Sequence, residues 1–288
     1  MDYKVLFERI SLPEEAVVLF WEMEAKKNSD PLLKEEIAKL LVLHGEDFET
    51  CHKNAVALAE KLEMPSCSFL LYIQLLLCEK AYDVYMKNGW DMDVYYDSMS
   101  DICVRIMRNY KEKKSEVVGI DNFQWLSGFV RPNPIYFKFG RLEYETFEIK
   151  TDFEYNGVQY KNGQKAMTIH IPSYLKFTHE ACLESYEKAK IFFDKSLGLK
   201  DIPIICNSWM IHPNLQELLP ADSAIAKFGR DFYIYGVTNE PAAPIQWVFG
   251  PYKEKPDDYP QNTTLQKNLV KWIKAGKPVG RGIGILKY

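Results

Sequence analysis

The chain has 288 residues, of which 47% are hydrophobic, and its formal net charge at pH 7 is -4. This length suits one large domain or two ordinary ones, and the hydrophobic fraction can build a core without disulfides or structural metals. Net acidity, with both signs mixed along the chain, argues against nucleic acid as the main partner.

The first third of the chain has the apolar periodicity of successive helices. Ser11 and Glu14 have the spacing of a capping box, which predicts the start of a helix. A later helix, from about Cys67 to Lys87, is apolar on most of its surface. We therefore expect it at the centre of the helical part. A further helix is predicted over residues 94–111.

The apolar spacing then approaches two. Residues 135–149 read IYFKFGRLEYETFEI, which predicts a half-buried strand or a hairpin, with Gly140 marking a bulge. A second hairpin is predicted from residue 153 into Ala166, with a turn at residues 161–163.

Strand, helix and strand follow in that order. Residues 166–172 form a short apolar run around His170, and Thr178 and Glu180 start an amphipathic helix. A second apolar run, 202–206, leads into Asn207, Ser208 and Trp209. This order predicts a βαβ unit, and α/β proteins place their chemistry at the C-terminal ends of such strands.

The remaining sequence predicts a short helix at 213–219, a strand at 231–237, a proline-rich loop at 241–260, a helix at 263–275 and a final strand at 282–288. The glycine-rich segment 276–282 follows a helix C-terminus, where the helix dipole repels anions. We interpret it as a turn into the last strand. The fold class is therefore α+β, with a helical N-terminal domain at 1–116 and a mixed-sheet domain at 117–288.

The six cysteines form no C-x-x-C pair, which argues against a zinc ribbon or a redox motif. The N-terminus has no apolar core of a signal peptide, and the apolar stretch at 69–78 is too short to span a bilayer. We expect a cytoplasmic protein with no membrane partner, no metal and reduced cysteines. A metal site of Cys206, His170 and His212 is a formal alternative whose spacing fits no known pattern.

Five blocks of sequence carry a family resemblance. In chain order they are DSMSDICVRI, FQWLSGF, FKFGRLEYETF, MTIHIP and CNSWMIHPNLQELLP. Together they resemble a bacterial family of two-domain acyltransferases, in which an N-acyltransferase N-terminal helical domain precedes a GNAT-like C-terminal domain. The resemblance implies transfer of an acyl group from acyl-CoA, a cosubstrate, to an amine or similar small acceptor. It leaves the oligomeric state open.

The resemblance also implies a place for acyl-CoA. In GNAT proteins a loop before a helix holds the pyrophosphate, since the amides and dipole at a helix N-terminus favour an anion. The matching loop is 172–178, which makes Lys176 and Thr178 the cofactor-binding residues. GNAT loops usually carry glycines and an arginine or glutamine, whereas this loop has no glycine and no arginine.

That departure favours an alternative, a non-catalytic small-molecule binding protein on a GNAT-like fold. A groove between the strands ending at Pro172 and Trp209 would favour catalysis, because a GNAT sheet splays there to admit pantetheine. A third possibility, a purely structural or interaction protein, would need a large apolar surface patch.

His170 is the predicted catalytic residue. Histidine ordinarily titrates near neutral pH, so it can act as a general base on the acceptor. Its alternative role is structural, as a strand histidine hydrogen-bonded to the backbone.

The predicted substrate-binding residues are Arg141, Tyr174, Ser208 and Trp209. Ser208 is a polar contact, a nucleophile or, in the structural alternative, a cap for the helix at 212–213; no G-x-S-x-G elbow supports the nucleophile. Trp209 and Tyr174 are predicted pocket walls, and core packing is the alternative for Trp209.

Arg141 lies in a strand rich in aromatic residues, and a buried arginine needs an anion. That anion is a substrate carboxylate or phosphate, or an internal aspartate such as Asp97 or Asp101.

Overall fold

The computed structural model describes residues 1–287, which divide into two compact units. The helical unit comprises Met1–Glu143 and Pro172–Leu175, and the sheet unit comprises Tyr144–Ile171 and residues 176–287. The domain boundary predicted after residue 116 stays a prediction. Across the described residues, no helix is both long and apolar enough to cross a membrane.

The helical unit is built from successive helices with short connections. In chain order they are α1 (Tyr3–Arg9), α2 (Glu14–Ser29), α3 (Pro31–Glu46), α4 (Phe48–Lys61), α5 (Ser66–Asn88), α6 (Met92–Met99), α7 (Asp101–Lys111) and α8 (Phe123–Val130).

Helix α5 is the centre of the helical unit. Every residue from Ser68 to Cys78 is buried, which a helix with an apolar surface on most sides requires. The helix ends at Gly89, whose φ of 63° lies in the left-handed region where glycine costs least. The predicted central helix is therefore confirmed.

In this unit one helix prediction is wrong, and another is right about the start of the helix but wrong about its cap. Residues 94–111 form α6 and α7 rather than one helix, because the chain turns at Ser100, whose hydroxyl donates to the Asp97 carbonyl 2.6 Å away. Ser11 does not cap α2: it has a φ of 53°, and α2 begins after Pro13 without a side-chain cap.

The strands, in chain order, are β1 (Tyr136–Phe139), β2 (Leu142–Glu148), β3 (Phe153–Tyr155), β4 (Val158–Tyr160), β5 (Lys165–His170), β6 (Ile204–Ser208), β7 (Phe232–Thr238) and β8 (Arg281–Leu286). One sheet has the order β1-β2-β5-β6-β8-β7, and β3 pairs with β4 separately. Gly140 lies in the turn between β1 and β2 with a φ of 59°, so the predicted bulge is a hairpin turn.

The predicted βαβ unit is confirmed. Strands β5 and β6 are parallel, with Met167 paired to Ile204 and Ile169 to Cys206, and helix α9 (His179–Leu197) connects them. Thr178 caps this helix, because its side chain accepts from the Ala181 amide.

The sheet has two different faces. On one face, Tyr144 of β2 contacts Ser185 and Phe193 of α9, with 3.2 Å between the two hydroxyl oxygens and 5.6 Å between the two ring centroids. On the other face, the β3–β4 hairpin covers an apolar cluster that includes Ala166 of β5 and Ile205 of β6. Side chains alternate along a strand, so His170 lies on the face of Ala166, away from α9.

The C-terminal part contains more helix than the sequence predicts. Its helices are α10 (Pro213–Leu218), α11 (Ala224–Arg230), α12 (Ala242–Phe249) and α13 (Thr264–Lys274). The predicted proline-rich loop at 241–260 is wrong in this respect, because α12 occupies its first half. The final strand is β8, and Tyr288, at the end of the predicted strand, lies outside the described residues.

Strand β8 lies between β6 and β7 and is antiparallel to both. A Cβ atom added at Gly282 would lie 2.5 Å from the Ile211 carbonyl oxygen, so only glycine fits this close approach. The glycine-rich segment therefore leads into the last strand, as predicted, and the α+β fold class, with a mixed sheet after the helical part, is confirmed.

Candidate active site

His170 is the last residue of β5 and contacts a carboxylate on the neighbouring strand. Its Nε2 lies 2.8 Å from Oε2 of Glu145 in β2. The two side chains are 32% and 30% exposed, so water or a ligand can reach them. This pair is the arrangement that a general base needs, an imidazole oriented by an acidic partner.

Asn207 of β6 extends the pair into a row across three adjacent strands. Because Ile169 is paired with Cys206, the residues that follow them, His170 and Asn207, lie next to each other on adjacent strands. Asn207 shares its face with Ile205 and is exposed. We call Glu145, His170 and Asn207 the polar row.

The polar row lies at the end of the ladder between β5 and β6. The ladder between β5 and β6 ends at Ile169 and Cys206, although β6 goes on to Ser208. Asn207 and Ser208 pair with Ile283 and Gly282 of β8, on the other edge of β6. The partly buried Ile283 and Tyr235, which pack against the hairpin cluster, continue the row's face.

Ser208 and Trp209 follow directly at the end of β6. The Ser208 hydroxyl accepts from the Met210 amide at 3.2 Å and caps a short 3-10 helix, Trp209–Ile211. Trp209 packs, partly buried, against an apolar cluster formed by α10, α13 and Val279. Both side chains thus have structural contacts, although the predicted cap was for the helix that follows. There His212 is the cap, accepting from the Asn214 amide.

The loop at 172–178 has an unusual backbone. Tyr174 has a φ of 61°, a left-handed conformation that is uncommon outside glycine. Its hydroxyl donates to Glu112 at 3.1 Å, and Nζ of Lys111 lies 4.8 Å from the centre of its ring. Partial burial, together with the bond to Glu112, raises the pKa of Tyr174. These contacts belong to the helical unit, in which Pro172–Leu175 is included.

The two predicted cofactor-binding residues have different surroundings. Lys176 is exposed, so its ammonium group is accessible to an anion. The Thr178 hydroxyl accepts from the Ala181 amide at 3.2 Å, so it already acts as the cap of α9. Thr178 could contact a phosphate only while its hydroxyl also caps α9.

Arg141 lies in the turn between β1 and β2 and is 8% exposed. The two aspartates considered as its internal partners have contacts of their own. Asp97 accepts from the Gly140 amide at 2.8 Å, and Asp101 accepts from Nε of Arg105 at 2.9 Å. The substrate role of Arg141 stays a prediction.

A buried charged cluster in the helical unit surrounds Asp101. Burial and the negative charge of Asp101 raise the pKa of Glu143 well above its usual range. Burial disfavours ionised Asp101, but a hydrogen bond from Glu143 and the charge of Arg105 lower its pKa. Of these two buried carboxyl groups, Glu143 is therefore the one that more readily keeps its proton. The sequence did not single out this pair.

A second histidine–carboxylate pair lies at the start of α9. Nε2 of His179 is 2.9 Å and 3.0 Å from the two carboxylate oxygens of Asp231. The Tyr186 hydroxyl donates to the same carboxylate at 3.1 Å. His179 and Asp231 are 19% and 17% exposed. The pair ties α9 to the residue before β7.

The residues of the alternative metal site do not share a face. Cys206 is fully buried and lies on the opposite side of β6 from Asn207, because side chains alternate along the strand. His170 lies on the face of Asn207. Within residues 1–287, no three His, Cys, Asp or Glu side chains form a group that could hold a metal ion.

Glu145 is a residue of this site that the sequence pattern did not single out. It lies in the segment EYETFE, where burial falls from Tyr144 onward. The signal was available: Tyr144 is an apolar-face residue, so the adjacent Glu145 must face the other way. What the sequence could not supply is that β2 neighbours β5.

Two family models match the chain. A model of an N-acyltransferase N-terminal domain matches residues 1–131, and a model of a GNAT-like C-terminal domain matches residues 136–286. No curated protein matches the chain in sequence.

Solved acyltransferase structures share the fold. An acyltransferase mutant in complex with octanoyl-CoA has 18% identity and a TM-score of 0.70, covering 99% of this chain and 87% of that chain. An acyltransferase with decanoyl-CoA and teicoplanin has 19% identity and a TM-score of 0.67, with the same coverage. A third, with decanoyl-CoA, has 16% identity and a TM-score of 0.64, covering 99% of both chains.

At such identities the structural similarity shows the fold. The family follows from the sequence models, because the GNAT-like model alone spans more than half of the 288 residues. The chain therefore belongs to the family in which an N-acyltransferase N-terminal domain precedes a GNAT-like C-terminal domain.

Proposed function

We propose that this protein transfers an acyl group from acyl-CoA to an amine or a similar small acceptor. The observation that carries the proposal is the polar row at the end of the β5–β6 ladder, in a chain of this family. His170 is the general base of the reaction, as the sequence analysis expects.

The chemistry follows from the groups present. The acceptor nitrogen attacks the thioester carbonyl carbon and forms a C–N bond, while His170 takes the proton that the nitrogen gives up. The C–S bond breaks, and the CoA thiolate leaves with a proton returned by the imidazolium. Asn207, on the same face, can donate its amide to the acceptor or to the thioester oxygen.

The end of the β5–β6 ladder supports acyl-CoA as the donor. A GNAT sheet admits pantetheine between these two strands, and here their pairing ends at Ile169 and Cys206, one residue before β5 itself ends. The structures of similar fold contain acyl-CoA with eight- or ten-carbon acyl groups. In one of them the acyltransferase also binds teicoplanin, which supports a small-molecule acceptor here.

The loop at 172–178 fits an anion better than its composition suggests. Glycines in such a loop allow left-handed backbone, and here Tyr174 adopts that backbone without glycine. Lys176 supplies an exposed cation just before the helix cap, and the N-terminus of α9 supplies amides and a positive dipole end. Acyl-CoA would be held here through its phosphates.

The other proposed contacts are weaker. Trp209 walls the acyl or acceptor site with the part of its ring that the apolar cluster leaves exposed. Ser208 is a polar anchor through the lone pair that the Met210 amide does not use. Arg141 and Tyr174 stay predicted substrate-binding residues.

The alternative is a small-molecule binder that has lost catalysis. Its main support was the glycine-poor loop, and the left-handed Tyr174 weakens that support. The family, and an accessible histidine–carboxylate pair at the end of β5, favour acyl transfer.

Titration calorimetry with acetyl-CoA, octanoyl-CoA and decanoyl-CoA tests the donor. We expect saturable binding that Lys176→Glu weakens, because the charge reversal repels the phosphates. Lys200→Glu is the matched control: Lys200 is also exposed, but it follows the C-terminal end of α9, where an anion is disfavoured.

If Lys176→Glu and Lys200→Glu bind the thioesters equally well, the phosphates of acyl-CoA do not bind at this loop. If none of the three thioesters gives heat or thermal stabilisation, acyl-CoA is not the donor and the binding protein becomes the better description. Saturable binding without CoA release, tested with glucosamine and benzylamine as amine probes, would also favour the binder.

A further inference from the structure

Glu145 is placed by the sheet rather than by the core. Its neighbour Tyr144 is buried against α9, which turns Glu145 to the open face. There Oε2 of Glu145 lies 2.8 Å from Nε2 of His170. Packing does not explain a glutamate at a half-exposed strand position. The contact with His170 is the interaction that can explain it.

A carboxylate in contact with a ring nitrogen has a defined chemical effect. An ionised carboxylate only accepts hydrogen bonds, so Nε2 carries the proton and donates it. In that tautomer the lone pair lies on Nδ1. The hydrogen bond also restricts rotation of the ring, because the bond is lost when the ring turns.

We propose that Glu145 is a positioning residue: it holds His170 in the Nε2-protonated tautomer, with Nδ1 as the atom that takes the acceptor's proton. This inference rests on the proposed function for its catalytic meaning. Glu145 itself does not touch the substrate. It acts through the ring of His170, in the way that a carboxylate orients the histidine of a nucleophilic triad.

The tautomer can be measured without any substrate. In the full chain, NMR of the histidine ring nitrogens, assigned by comparison with His170→Ala, is expected to show a single Nε2-protonated form for His170. Glu145→Ala is expected to give a mixture of tautomers. Glu145→Gln retains an oxygen that accepts a hydrogen bond and should largely restore the single form.

Glu148→Ala is the matched control. Glu148 lies in the same strand, is exposed and pairs with Lys150 at 3.6 Å. The alternation of β2 places it on the face opposite to Glu145. This variant removes the same carboxylate group from the same strand and should leave the His170 signals unchanged.

Kinetics then separate positioning from direct contact. With octanoyl-CoA and the amine probes, Glu145→Ala is expected to lower kcat about 10- to 100-fold at an unchanged KM for the thioester. The double variant with His170→Ala should lose no more than His170→Ala alone, because Glu145 acts only through the ring.

The inference is overturned if Glu145→Ala leaves the His170 tautomer unchanged. It is also overturned if the losses of the two single variants multiply, because Glu145 would then act on the substrate itself. Failure of the proposed function looks different. In that case acyl-CoA does not bind, while the ring signals still respond to Glu145→Ala and the positioning contact stands.

Discussion

The sheet unit contains two histidine–carboxylate pairs with nearly the same hydrogen-bond length. His170 and Glu145 are 2.8 Å apart at the end of β5, and His179 and Asp231 are 2.9 Å apart at the start of α9. Only the surroundings differ. The first pair is about one-third exposed, and the second is less than one-fifth exposed.

The carboxylates also differ in what else they bind. Asp231 accepts from Tyr186 as well as from His179, and its backbone carbonyl accepts from the Lys287 amide. It therefore joins α9, the end of α11 and the end of β8. The Glu145 carboxylate is partly exposed and lies in the polar row, on the side of His170 away from Asn207. A histidine–carboxylate distance alone does not identify a catalytic pair; exposure and the other bonds of the carboxylate decide.

The largest expected effect is the difference in kcat between variants of His170 and His179. His170→Ala should lower kcat by about 100-fold or more, because a general base contributes about that much. His179→Ala should change kcat by no more than a few fold. Both are measured as CoA release from octanoyl-CoA with the amine probes.

Folding and donor binding are the controls for this comparison. His170→Ala should keep the wild-type circular dichroism and its affinity for octanoyl-CoA, since the ring is not part of the core. Unchanged turnover in His170→Ala, or equal losses in the two variants, would contradict the assignment of the base.

Of the first pair, the sequence predicts His170 but not Glu145. Strand ends are visible as short apolar runs followed by polar residues, so His170 and Asn207 were expected near one edge of the sheet. Glu145 requires the strand order, which depends on long-range pairing that no local pattern contains. For the same reason the place of β8, between β6 and β7, could not be predicted from its position at the end of the chain.

Local signals explain the remaining differences. The turn at Ser100 separates α6 from α7 by a single residue. The apolar spacing therefore continues across it, and the sequence shows one helix where the chain forms two. Helix α12 begins at a proline-rich stretch, and proline in a first helical turn is compatible with a helix.

Stability should rank the two carboxylates in the opposite order. Asp231→Ala leaves the Tyr186 hydroxyl, on a residue 3% exposed, without its acceptor. We expect a loss of about 3 kcal/mol in the free energy of unfolding, because a buried unsatisfied donor adds to the lost histidine contact. Glu145→Ala should cost about 1 kcal/mol or less. Urea denaturation measures both, and equal losses would contradict the structural role of Asp231.

A third histidine extends the comparison to one that has no acidic partner within residues 1–287. His44 is buried in the helical unit beside Phe48 and Phe123, and its Nε2 has no hydrogen-bond partner among the described residues. Burial, helped by the charges of Arg131 and Lys80, lowers its pKa to about 4. His44 is therefore neutral in the folded protein at pH 7.

The sign of its pH effect follows from linkage. The folded pKa of about 4 lies below the unfolded value of about 6.5, so the unfolded state binds a proton first as the pH falls. The stability from neutral His44 is complete above pH 6.5 and declines toward pH 4, by about 2 kcal/mol at pH 5. Urea denaturation at pH 7 and pH 5 should show this loss in the wild type and a smaller one in His44→Phe. Parallel losses in both proteins would contradict it.

The smallest effect is expected for Ser208, the neighbour of the polar row, and its measurement tests whether this residue has a structural role. Ser208 follows Asn207, yet its hydroxyl caps the turn at Trp209–Ile211 through the Met210 amide. Ser208→Ala should therefore lower the free energy of unfolding by about 1 kcal/mol, as the loss of a helix cap does, and lower kcat only a few fold. Ser208→Thr keeps the hydroxyl and should restore most of the stability. A loss of turnover as large as that of His170→Ala, at unchanged stability, would contradict the structural role of Ser208 and give its hydroxyl a part in the reaction.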